Sequence, residues 1–171
     1  MMTAAIQRNQ NIGSWQALLL LILGLWLGGS LMLDLLVVPC LATEGMMEAT
    51  GFASVGYALF GTFNHVELVA AAAVLTVIWA LHRQSAPQTS SLAIASVLLG
   101  CVLLSTYILT PQMSATAMSL DWFATDPSMP AAMVPLHWGY WSAEIVKLLG
   151  GAFLLGRYCQ AIASPVRTAT S

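Results

Sequence analysis

The chain has 171 residues, of which 58% are apolar and 7% charged, and its mean hydropathy is +0.81. A soluble domain is about a quarter charged, so lipid rather than water must cover this surface. The net charge is −2 and the five Lys and Arg residues are scattered, which excludes a protein that tracks a nucleic-acid backbone.

A bilayer core takes about 20 mostly apolar residues in a helix. Four stretches meet that requirement, at about 15–38, 59–81, 91–110 and 136–156. The expected fold is all-α: a single membrane domain over residues 1–171, built as a four-helix bundle with the lipid bilayer as its first partner. The first span runs from Trp15 to Val38 and is expected to stop at Pro39. It is too long for the apolar core of a signal peptide and reads as a retained span. Gly24 and Gly28 form a small-residue pair, with Gly29 beside it, suited to helix packing within the bundle or between copies. Asp34 lies near the end of this span.

The loop from Leu41 to Ala58 is rich in Gly, Ala and Met and includes Met46 and Met47. The second span, Leu59 to Leu81, carries Asn64, His65 and Glu67 in its first turns and a smooth run from Ala70 to Ala73. A short polar loop, His82 to Ser90, leads to the third span, Ser91 to Thr110, which is expected to stop at Pro111. The next loop, Gln112 to Pro135, holds Met113, Trp122, Phe123, Met129 and Met133. It is long for a simple connection and reads as a contact surface with interfacial helical pieces. The fourth span, Leu136 to Gly156, starts with His137 and carries Glu144 and Lys147.

Orientation follows from the positive-inside rule. Arg8, Arg83, Arg157 and Arg167 fall on one side, while the other carries Glu44, Glu48, Asp121 and Asp126 and no Lys or Arg. Both termini are therefore expected in the cytoplasm, and the acidic, Met-rich loops outside.

Ionisable groups within a span cost roughly 2.5–3.5 kcal/mol each on insertion scales and point to function. At about 1.5 Å per residue, Asp34, Glu67 and Glu144 fall about 7–10 Å below the outer interface, with Thr106, Tyr107 and Thr110 near the same level. Glu144 and Lys147 are three residues apart and suited to an ion pair. His65 and Glu67 are about 200° apart round one helix, so only one can face the axis; Glu67 with Asn64 is the expected choice. Three readings remain open. The cluster is a structural network; or Asp34, Glu67, His137 and Glu144 hold a metal cation; or His65 and His137 hold a tetrapyrrole, haem or chlorophyll. The outer methionines near Cys40 add a copper(I) reading, because thioether and thiolate select that ion. Cys40, Cys101 and Cys159 fall in different segments and show no CxxC spacing. No nucleophile elbow, P-loop or HExxH motif occurs.

The runs Leu25-Trp26-Leu27-Gly28-Gly29 and Asp34-Leu35-Leu36-Val37-Val38-Pro39 resemble the first span of small four-span membrane proteins related to human transmembrane protein 205. These form an uncharacterised bacterial family distantly like copper-resistance D proteins. Thr110-Pro111-Gln112-Met113 and Leu136-His137-Trp138-Gly139-Tyr140-Trp141, with Glu144 and Lys147-Leu148-Leu149, resemble its cyanobacterial members. The resemblance implies a bacterial inner membrane or a thylakoid. It also implies a non-catalytic accessory or assembly subunit of a larger membrane complex, photosystem assembly among the options. Copper or other cation handling is the alternative it leaves open, and a haem-binding membrane oxidoreductase is a further alternative.

Overall fold

The computed structural model describes residues 2–46, 51–84, 89–123 and 133–167. All the described elements are helical. Helix α1 (Met2–Met32) runs through one wide π-helical turn, Leu33–Val37, into α2 (Val38–Thr43). Helix α3 spans Phe52–Gln84. Helix α4 (Thr89–Leu104) passes through a second π turn, Ser105–Leu109, into α5 (Thr110–Phe123), and α6 spans Met133–Arg167. Four candidate membrane spans result: Ile12–Thr43, Ser54–Gln84, Thr89–Met118 and Met133–Ala163, of 32, 31, 30 and 31 residues. A 30-residue helix is about 45 Å long, half as long again as a bilayer's hydrocarbon core.

The first and third spans do not stop at their prolines. Proline lacks an N–H, and its ring collides with the carbonyl four residues back. Each helix absorbs this with one extra residue in a turn. Val38 N–H donates to Leu33 O and Thr110 N–H to Ser105 O, each five residues back and each one residue before the proline. The helices therefore run on past Pro39 and Pro111, and the expected interfacial piece after Pro111 is a continuation of the third span. Where the first span does end, Gly45 takes φ +66°, a left-handed conformation costly for residues with a Cβ.

The spans form a ring in chain order. The first packs on the second and fourth, and the third packs on the same two. The second and fourth therefore face each other across one diagonal. Opposed direction is visible between the third and fourth spans. A Cβ on Gly139 would meet Leu109, one on Gly150 would meet Leu98, and Arg157 Nη1 donates to Ser90 Oγ at 2.7 Å.

The core is divided along its length. Towards the end where Arg83 and Arg157 lie, it is mainly apolar: Leu19, Leu23, Val74, Ile78, Leu98, Val102 and Leu154 are almost fully buried, with Tyr158 at the base. Towards the opposite end, where Glu44 lies, the buried residues turn polar: Ser30, Asp34, Asn64, Glu67, Ser105, Thr106, Thr110, Glu144 and Lys147. Arg83 stacks over the Trp79 ring at 4.0 Å, an arrangement suited to a membrane interface.

Close helix approach is not where Gly24 and Gly28 suggested. A Cβ on either would meet nothing within 4 Å, so both lie on an open face; one on Gly29 would sit 3.6 Å from Phe63. The tight positions are Gly150, where a Cβ would lie 2.8 Å from Leu98, and Gly151, where it would lie 2.7 Å from Leu27. These glycines seat the fourth span against the third and the first. A branched side chain there overpacks the core. Gly151→Ile should cost about 1–3 kcal/mol, whereas Gly28→Ala should cost nothing. Unfolding in mixed micelles measures both, and equal losses would contradict this packing.

Candidate functional site: a polar cluster on the bundle axis

Glu67 is the hub. It is 1% exposed and lies close to the midpoint of the second span. Its Oε1 accepts from Trp26 Nε1 at 3.0 Å and from Ser30 Oγ at 2.8 Å, both on the first span. Its Oε2 meets Lys147 Nζ at 2.5 Å, across the diagonal from the fourth span. Lys147 Nζ also lies 2.7 Å from Glu144 Oε2, three residues back on its own helix. The third span joins through Asn64, whose Nδ2 donates to Thr110 Oγ1 at 2.7 Å. Thr106 Oγ1 donates to Val102 O at 2.7 Å, with Asn64 O at 3.5 Å. One polar network thus ties all four spans at the axis.

The rotational phase explains who faces inward. Trp26, Ser30 and Asp34 recur every four residues and form one stripe on the first span. Thr106 and Thr110 do the same on the third, Asn64 and Glu67 are three apart on the second, and Glu144 and Lys147 three apart on the fourth. Both π turns lie at this level, and Asp34 sits in one while Ser105 and Thr106 sit in the other. Pi turns recur at functional sites because they re-aim side chains without ending the helix.

The cluster is not saturated. The Asp34 carboxyl lies within hydrogen-bonding reach of Glu144. Yet Asp34 Oδ2 and Glu144 Oε1 receive no hydrogen from any donor, and neither do Asn64 Oδ1 and Ser105 Oγ. Asp34 is 8% exposed and Glu144 3%. With every group ionised, Asp34, Glu67, Glu144 and Lys147 sum to a charge of −2. Buried acceptors without donors cost about 1–3 kcal/mol each, and more when charged.

The remaining expected site residues lie elsewhere. His65 is exposed on the outside of the bundle, edge-on to Tyr107 at 6.3 Å between ring centres. Its Nδ1 is 2.6 Å from Gly61 O, which fixes Nδ1 as the donor. Tyr107 is likewise exposed rather than part of the cluster. His137 is part-buried one turn into α6, with Nδ1 3.2 Å from Met133 O. His65 thus turns away from the axis that Glu67 occupies, and a tetrapyrrole held between His65 and His137 through the bundle centre is not assembled. Among the described residues, no three His, Cys, Asp or Glu side chains converge as a metal-ligand set. The Lys147 ammonium sits between Glu67 and Glu144. Of the four residues read from the sequence as a metal set, Asp34, Glu67 and Glu144 are buried in the polar part of the bundle, and His137 is part-buried near Met133 O.

Cys40 and Cys159 are exposed, Cys101 is half-buried, and all three are free thiols. Met46 is exposed, and Met113 and Met133 are half-buried. Met47 and Met129 lie outside the described residues. Trp122 and Phe123 close α5, and their side chains lie outside the described set.

Sequence reasoning missed Trp26, Ser30 and Ser105. The four-residue recurrence of Trp26, Ser30 and Asp34 was the available signal. Family models, curated proteins and solved structures were compared with this chain, and none matches.

Removing a donor from a buried carboxylate leaves a charge under-solvated. Ser30→Ala and Trp26→Phe should each destabilise the protein by about 1.5–3 kcal/mol, the range for hydrogen bonds to charged groups. His65→Ala should fall within about 0.5 kcal/mol of wild type, as an outward-facing residue. Denaturant unfolding in bicelles measures all three, and a His65 loss equal to that of Ser30 would contradict the assignment of Glu67 as hub.

Proposed function

We propose that this chain is a non-catalytic membrane protein that binds a small cation, the proton included, in the polar half of its bundle. The observation that carries the reading is the excess of buried acceptor oxygens, Asp34 Oδ2, Glu144 Oε1 and Asn64 Oδ1, beside a single ammonium. Acceptors without donors attract a proton or a hard cation. The apolar packing of Leu19, Leu23, Val74, Ile78 and Leu98 closes the route towards the arginine-bearing end. The occupant therefore enters from the Glu44 end. By the arginine distribution that end faces the periplasm or lumen, with the termini in the cytoplasm of a bacterial inner or thylakoid membrane. The resemblance to relatives of transmembrane protein 205 is compatible with this reading and contributes no residue role to it.

A second reading is favoured by one feature of the surface. Tyr57, Tyr107, Trp138 and Trp141 are exposed in the polar half, with Trp138 70% open. Aromatic side chains anchor membrane-protein contacts, which suits an accessory or assembly subunit seated in a larger complex. Recovery of a stable partner in a mild-detergent pull-down, lost in Trp138→Ala, would support it.

A bound cation stabilises the folded state by mass action. The melting temperature in nanodiscs should therefore depend on pH or on added sodium, potassium or lithium, and Asp34→Asn should abolish that dependence. A wild-type melting temperature indifferent to every cation and to pH would contradict the proposal.

A further inference from the structure

We infer that the occupant is a proton shared between Asp34 and Glu144, held as a carboxylic acid–carboxylate hydrogen bond between the first and fourth spans. This rests on the cation-binding reading above and names the cation.

The geometry leaves these two groups in a particular condition. Glu67 is fully engaged, with two donors on Oε1 and the ammonium on Oε2. Lys147 divides its ammonium between Glu67 and Glu144 Oε2. What is left is Asp34 Oδ2 and Glu144 Oε1, two buried oxygens that receive no donor, on carboxyls that lie within hydrogen-bonding reach of each other. Two ionised carboxylates cannot hydrogen-bond, because each is acceptor-only. A single proton turns one carboxylate into an O–H donor to the other. It also lowers the charge of the cluster from −2 to −1.

The surroundings contain no rival for this role. The first span faces the pair with Asp34 itself, the second with Glu67, and the fourth with Glu144, Lys147 and the half-buried Tyr140. The third span adds uncharged Ser105, Thr106 and Thr110, together with the half-buried Cys101 thiol. Each of these side chains is either already bonded or neutral. Among the described residues no three His, Cys, Asp or Glu side chains converge on one point. A proton needs two oxygens only.

The position also suits exchange. Asp34 lies in a π turn one helical turn before Pro39, where the backbone is wound more loosely than in the α-helices on either side. Towards the Glu44 end, the Asp34 turn leads to the exposed α2 segment. Towards the other end the way is filled by Trp26 and Val102 and the apolar side chains beneath them. The shared proton therefore equilibrates with one side of the membrane.

Infrared difference spectroscopy of the full chain in nanodiscs tests this through the C=O stretch of a protonated carboxyl group. The wild type should show such a band at neutral pH, sensitive to deuterium oxide and lost on raising the pH. Asp34→Asn and Glu144→Gln should each abolish it, because one member alone has no partner to share with. Glu44→Gln, at an exposed position, should leave it unchanged. A wild-type protein with no such band overturns the inference, as does a band that survives Asp34→Asn. A band erased by sodium at fixed pH also overturns it, while leaving the cation-binding reading in place with a metal ion as occupant.

Discussion

An ammonium near the middle of a membrane span has to be neutralised where it sits, and the rest of this bundle is arranged around that requirement. Lys147 lies close to the midpoint of the fourth span and is 3% exposed. Its counter-charge comes from its own helix, Glu144, and from the opposite corner of the ring, Glu67. A bond across the diagonal fixes the distance between the two spans that share no side-by-side packing. It also sets the register of the first span, because Trp26 and Ser30 must reach the same carboxylate. A buried ion pair of this kind is weak evidence for stability, since desolvation offsets much of its attraction. Its value here is geometric: it ties three spans at one level, where Asp34 Oδ2 and Glu144 Oε1 are buried without a donor.

The two prolines and the two π turns complete that arrangement. Each odd-numbered span meets its proline just beyond the cluster and widens by one residue just before it. The widening brings Asp34 into the buried face on one side and Ser105 with Thr106 on the other. Below this level, the small residues Gly150 and Gly151 let the fourth span close on its neighbours, and the buried side chains described there are apolar except for Ser91 and the Tyr158 hydroxyl. The result is a bundle with an apolar half and a polar half, and the ionisable groups stand at the boundary.

Much of this was legible in the sequence, and the omissions have physical causes. Four spans follow from composition and length alone. That Glu67 rather than His65 faces the axis follows from two residues differing by about 200° on one helix, and His65 does lie outside. The Glu144–Lys147 contact follows from a spacing of three. The Glu67–Lys147 bond does not follow, because helical phase shows which residues face inward but not which will meet across a ring. Proline was expected to end the first and third spans, whereas the helices run on past Pro39 and Pro111, and Glu67 lies near the middle of its helix. The Gly24–Gly28 pair suggests a helix contact, but small residues do not say whether a neighbour is there, and a Cβ on either meets nothing within 4 Å in the bundle. The neighbours instead met Gly150 and Gly151, whose adjacency to Lys147 gave no sequence signal of close approach.

The account stands or falls on the bond across the diagonal. The most direct measurement is a double-mutant cycle on Glu67→Gln and Lys147→Met, with unfolding free energies taken in bicelles. Each single change strands a buried charge and should cost about 3–5 kcal/mol. The double variant should cost less than the sum, with a coupling of at least about 1 kcal/mol, as residues in contact show. Strictly additive losses would mean that Glu67 and Lys147 do not meet, and the polar cluster described here would not exist in that form.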